Sequence, residues 1–442
     1  MIGLTYSLLL LLLLLPGLVL AQTGEKPKLK DFGSSLKKLK WDPQSNSTTE
    51  TNTSASDDDD VIKIETSLVV SELLVLDKQR RPVQGLKQSD FVITEEGTPQ
   101  QVGHFLLGDN RSLPRSIVLI IDYSGSQFPY IQNSVAAAGV LIDKLGPLDQ
   151  MAIVTDDVEV LADFTNNKRE LKKKLNTLLE KSRGGNDGFL GIGGTRRQFG
   201  KSAQYSALMA TLKEAFDDED QRPIIIFQTD GDEAEYLRNS IIVPTLPPDL
   251  PPELVAKVQN EIEQKRQLQR SSMTEFSLED VYGTVEKSRA TIYTVVPGAK
   301  LIGLTPEQQL ATLIAEDERA INEMLPTLSK KAREAFIERQ EARKKVAPIQ
   351  VLRMRAEESA KLQEALAAVA PLSGGWTEFL EQPAQAQAIY SRILSDISQR
   401  YIVGYYPTNK ERDGKRRRIS FEVKGHPEYT VLGRRSYYAP SP

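Results

Sequence analysis

Two apolar runs that each end in an acidic loop constrain this chain more than any other feature. Ser116-Ile117-Val118-Leu119-Ile120-Ile121 leads directly into Asp122-Tyr123-Ser124-Gly125-Ser126. About a hundred residues later, Ile224-Ile225-Ile226-Phe227 leads into Gln228-Thr229-Asp230-Gly231-Asp232. Continuous apolar runs of this length read as strands buried on both faces. Residues 151–155, 158–161 and 291–296 read as further strands, and 131–145, 168–181 and 202–216 as helices between them. This alternation predicts an α/β fold: a doubly wound, mostly parallel sheet covered by helices on both faces.

The loops carry the chemistry. A strand that ends in a carboxylate and two hydroxyls aims hard oxygen donors into one turn. Mg²⁺ takes one or two carboxylates and fills its remaining positions with hydroxyls, water or a ligand. Two such strand ends imply one split metal site. A site of this kind points to metal-dependent binding more readily than to catalysis.

The chain has 442 residues, 40% hydrophobic and 26% charged, with net charge −4. That supports real cores and argues for neither nucleic acid nor a membrane surface as partner. Residues 1–21 read as a secretory signal peptide, with leucines at 8–15 and the small residues Val19 and Ala21 before Gln22. The usual basic first segment is absent, so an uncleaved membrane anchor is the alternative. There is no cysteine, which excludes disulfides and a thiol-linked lipid anchor and suits a bacterial exported protein.

Residues 22–60 are polar and read as a disordered linker ending in Asp57 to Asp60. Residues 61–110 read as a small β unit, with strands at 61–65, 68–70 and 73–76. Residues 111–400 form the sheet domain, with helical insertions at about 243–285 and 300–371. The second insertion opens on Thr305-Pro306-Glu307-Gln308, a capping box with proline at the first helical position. It reads as a helical hairpin packed on the sheet domain, or as a partner-binding arm. Residues 401–442 return to strands, and Asp413-Gly414 predicts a tight turn joining the first two as a hairpin.

Asp122-x-Ser124-x-Ser126 resembles the metal-ion-dependent adhesion site of von Willebrand factor type A domains, and Thr229-Asp230-Gly231 resembles that family's later acidic loop. The resemblance implies loops at the carboxyl ends of adjacent strands where the sheet order reverses. It implies that Ser124 and Ser126 bind Mg²⁺, or Mn²⁺, directly and that Asp122 and Asp230 act directly or through water. A third loop supplies a threonine ligand in that family. Here Ser202 has the right relation to its helix, and Thr195 has the right local sequence. Phe91 to Gly97, Asp163-Phe164-Thr165, Tyr401 to Pro407 and Gly433 to Ala439 resemble an acidobacterial exported von Willebrand factor A-related family. That resemblance implies one β-sandwich-like unit built from both the N- and C-terminal strands.

The leading functional expectation is an exported adhesion-type module. Its ion captures an Asp or Glu of a protein partner, and it needs no nucleic acid or small-molecule cofactor. A structural envelope protein with a vestigial site is the alternative, and a metal-dependent hydrolase the second. Against the hydrolase, the two histidines, His104 and His426, lie in β segments, and Asp122 replaces the first glycine of a G-x-S-x-G elbow. Asp232 and Glu233 could serve as a base, but read more simply as supporting or surface acids.

Overall fold

The computed structural model describes residues 68–441 except 108–113, 128–129, 184–201, 217–221, 241–247, 249, 273, 328–329, 331–332, 335 and 339–348. The signal peptide, the linker, strand 61–65 and Thr195 lie outside the described residues.

The central sheet has six strands in the order β10-β9-β8-β5-β6-β7. These are β5 (Arg115–Ile121), β6 (Gln150–Thr155), β7 (Val160–Thr165), β8 (Arg222–Gln228), β9 (Thr291–Pro297) and β10 (Thr377–Leu380). All neighbours are parallel except β6 and β7. The apolar run of β5 is buried on both faces. Ile117, Leu119 and Ile121 point into one core with α1 (Ile131–Asp143), α2 (Lys168–Arg183) and α8 (Ala386–Gln399). Val118 and Ile120 point into the other with α3 (Gln204–Glu214), α5 (Leu278–Lys287) and α7 (Ile349–Ala367). Each such side chain contributes about 1.5–3 kcal/mol by leaving water, so this strand fixes the centre of the sheet. The fold is the doubly wound α/β arrangement that the strand–helix alternation predicts.

The remaining strands form two four-stranded sheets, β13-β1-β11-β4 and β14-β12-β2-β3. They are β1 (Val69–Leu76), β2 (Phe91–Glu95), β3 (Thr98–Gln100), β4 (Val102–Leu107), β11 (Tyr401–Tyr405), β12 (Arg416–Val423), β13 (Thr430–Leu432) and β14 (Ser436–Tyr438). Leu73, Phe91, Ile93, Tyr401, Tyr405 and Ile419 share one core between them. The two chain ends therefore build one β-sandwich-like unit. Glu72 on β1 pairs with Arg222, the first residue of β8, at 2.7 Å. Arg400 is buried beside them, bonded to Asp396 at 3.0 Å and to the Glu72 carbonyl at 3.2 Å.

Several details differ from the sequence reading. Residues 68–70 and 73–76 are one strand, β1. Asp413-Gly414 does not close a hairpin, because β11 and β12 belong to different sheets; β11 pairs with β1 and β4, and β12 with β2 and β14. β7 begins at Val160 rather than Val158, which sits at φ 60° in the turn after β6. α5, within the first expected insertion, buries Val281 and Val285 in the same core as the sheet. The other helices of the two expected insertions include α4 (Pro252–Ser272), which packs on α7 through Val258, Ile262 and Val351, α6 (Pro306–Met324), and α7 itself. The Thr305 cap forms as expected: Gln308 N donates to its hydroxyl at 3.3 Å and Thr305 N donates to Gln308 Oε1 at 2.9 Å. β10 and α8 were not anticipated.

Candidate metal centre

Asp230, Asp122 and Asp156 follow the carboxyl ends of three neighbouring parallel strands, β8, β5 and β6. The chain runs from β5 to β6 and β7 on one side, then returns to β8, β9 and β10 on the other. β5 and β8 therefore flank the point where the strand order reverses, the general ligand position of open α/β sheets.

The first and second loops meet as the sequence predicts. Ser124 Oγ lies 3.0 Å from Ser126 Oγ, and Ser126 Oγ donates to Asp230 Oδ2 at 2.6 Å. Asp122 ties the cluster together. Its Oδ1 accepts the Ser124 N–H at 2.9 Å, and its Oδ2 accepts from Thr229 Oγ1 and from Gln204 Nε2, each at 3.0 Å. A short 3₁₀ turn, Gly125–Gln127, leaves Ser126 exposed while Ser124 and Asp122 are buried. Gly231 has φ +77°, and a Cβ there would lie 3.2 Å from Leu366 of α7. Glycine thus lets the second acidic loop turn beneath the insertion.

The third loop enters through its backbone. Ser202, at φ 55°, donates its N–H to Asp156 Oδ2 at 2.9 Å, and Tyr123 donates its N–H to Asp156 Oδ1 at 3.1 Å. Asp156 therefore clamps the first loop to the third. Ser202 precedes α3 rather than lying in it. Gln204, the first residue of that helix, reaches both Asp122 and Asp232, the latter at 2.6 Å, and accepts the Glu233 N–H at 3.2 Å. Sequence reasoning missed Asp156, Gln204 and Gln127. Asp156 had a usable signal: Asp156-Asp157 follows its strand as Asp122 follows β5.

Glu233 is not a surface acid. It is 4% exposed and accepts both the backbone N–H of Ser206, at 2.9 Å, and the Ser206 hydroxyl. A carboxylate over the free N–H groups of a helix's first turn is well placed. His104 and His426 lie in the sandwich, beside Tyr406 (3.2 Å) and stacked on Tyr429 (4.4 Å between ring centres).

Among the described residues, the acids crowd one another without a cation. Burial, reinforced by the charge of Asp230, pushes Asp122 up to about 7. Burial, then Asp122 and Asp157, raises Asp156 well above the usual carboxylate range. Burial, then Asp230 and Asp122, does the same to Asp232. Among the described residues, the charges that act most on these three groups are those of other acids. Among the described residues, no three His, Asp or Glu side chains already stand as a metal cage. The donor set instead mixes hydroxyls with carboxylates, all hard oxygens, around uncompensated negative charge. That combination fits Mg²⁺ or Mn²⁺ and no soft metal.

No family model and no curated protein matches the chain. Similar solved structures include the vWF domain of the type V pili tip protein Mfa5 from Porphyromonas gingivalis, at 14% identity over 64% of this chain and 95% of that one, TM-score 0.31. The conserved hypothetical protein BatB from Bacteroides thetaiotaomicron is 11% identical over 64% and 98%, TM-score 0.30. Manganese-loaded TRAP from Plasmodium vivax is 11% identical over 79% and 100%, TM-score 0.28. At such TM-scores these likenesses carry no argument, and the architecture stands on its own strand order. Among the described residues no helix is long and apolar enough to cross a membrane.

Proposed function

We propose that this chain is an exported, metal-dependent protein-binding module of the von Willebrand factor A-related kind. Asp122, Ser124, Ser126 and Asp230 would hold Mg²⁺ or Mn²⁺, with the Ser202 loop, or Thr195, contributing from the third side. When bound, the ion supplies a Lewis-acidic point of attachment for an Asp or Glu of a protein partner. The single observation behind this reading is the uncompensated acid cluster at the reversal of strand order, beside the exposed Ser126.

The chain's own residues would do the rest. Asp156 and Gln204 fix the loops relative to one another. Glu316 of α6 accepts from Tyr130 Oη at 3.0 Å and from the Ala299 N–H at 2.9 Å. Those bonds anchor the insertion helices to the metal-loop end of the sheet, where their surfaces would set partner specificity.

The test is calorimetric and thermal titration of the EDTA-stripped protein with Mg²⁺ and Mn²⁺, beside Asp122→Ala. Saturable binding lost in the variant supports the reading. One observation favours the vestigial alternative: Ser124, Ser126 and Asp230 already satisfy one another by hydrogen bonds. Absence of binding in both proteins would establish that alternative.

A further inference from the structure

Gln127 is 2% exposed and stands on the same 3₁₀ turn as Ser126. Its Nε2 donates to Asp230 Oδ2 at 2.8 Å, the oxygen that Ser126 Oγ also reaches at 2.6 Å. Among the described residues, its buried Oε1 has no hydrogen-bond partner. Asp230 is thus gripped from the first loop by two neutral donors on one oxygen, while its Oδ1 faces the Asp232 N–H at 3.4 Å. A buried amide oxygen left without a donor is costly and calls for an explanation.

We propose that Gln127 is a positioning residue that, together with Ser126, holds Asp230 in the outer sphere of the bound cation. This deepens the metal-binding reading above and rests on it. A hydroxyl offers lone pairs and a proton at once, so a Ser126 lone pair could face the ion while its O–H still donates to Asp230. Gln127 Nε2 satisfies the same Asp230 oxygen and competes with direct coordination. The orphaned Oε1 would then accept a hydrogen bond from a water on the ion.

The consequence is electrostatic. A divalent ion with one directly bound carboxylate keeps net positive charge. With two it is neutral, and its attraction for an incoming carboxylate falls. Holding Asp230 back keeps the ion attractive to an acidic partner at the cost of resting metal affinity.

The experiment titrates the EDTA-stripped full chain with Mn²⁺ alone, reading affinity by calorimetry and bound water by water-proton relaxation. Gln127→Met keeps bulk and removes the amide. It is expected to bind Mn²⁺ roughly tenfold tighter, the scale on which outer-shell partners move metal affinity. Its bound ion should carry about one water fewer as Asp230 moves in. Gln127→Asn, whose amide falls short, should behave the same way and carries the test if the methionine variant does not fold. In an Asp230→Asn background the Gln127 substitution should change neither reading, because coupled residues lose their separate effects. A Gln127→Met protein identical to wild type in affinity and hydration overturns the inference alone. So does a change that persists without Asp230. A wild-type protein that binds no Mn²⁺ overturns the metal reading as well.

Discussion

Gln204 Nε2 stands between two carboxylates, 3.0 Å from Asp122 Oδ2 and 2.6 Å from Asp232 Oδ1. A neutral amide joins two acids that would otherwise repel each other, and it does so from the first turn of α3. Gln204→Leu removes that donor while both carboxylates stay in place. The metal-free variant should lose about 1–3 kcal/mol, the cost of stranding buried acceptors. Denaturant unfolding of the stripped proteins measures it, and an unchanged midpoint would show that the bond does not matter.

Asp156 uses both carboxylate oxygens on backbone N–H groups, from Tyr123 and from Ser202. Asp156→Asn keeps one acceptor and turns the other into a donor facing a donor. We expect a loss of about 1–3 kcal/mol and weaker Mg²⁺ binding, because the first and third loops come apart. Equal Mg²⁺ affinity in the variant would remove Asp156 from the site.

Glu233 gives a pH signature. Burial pushes it up to about 7, above its value in the unfolded chain. The folded state therefore holds more protons than the unfolded state between roughly pH 4 and pH 7, so stability falls as pH rises through that window. The drop should be on the order of 3 kcal/mol from this group, and Glu233→Gln should flatten it. A wild-type stability that rises from pH 5 to pH 7.5 would contradict the assignment.

Glu72 and Arg222 join the sandwich to the opposite end of the sheet from the acids, with Arg222 only 7% exposed at its side chain. Glu72→Ala leaves that guanidinium buried without its carboxylate. A loss of about 3–5 kcal/mol is expected, far more than a surface pair would give. A shift below 1 kcal/mol in thermal or denaturant unfolding would place the pair effectively in water.

The β5 and β8 runs and their acidic ends were legible because continuous apolar strands bury on both faces and their termini are short loops. The meeting of Ser126 with Asp230 followed from that. β10 was not legible: Thr377–Leu380 is four residues long and half-buried along most of its length, too short for periodicity to register. Asp413-Gly414 misled because turn chemistry reports a local bend and says nothing of which sheet the next strand joins. Asp156 lay in view, but a carboxylate that binds backbone N–H groups looks, in sequence, like one that binds solvent. Gln127 and Gln204 carried no signal, since an amide's role depends on its neighbours in space.

β1 lies between β11 and β13, and β2 lies beside β12. The strands that open the sandwich thus wait for partners encoded at the far end of the chain, while every strand of the six-stranded sheet lies between them. During synthesis the sheet with its acidic edge can close first. The sandwich can close only when β11 to β14 have emerged, so a chain cut before β11 exposes the apolar faces of β1 and β2.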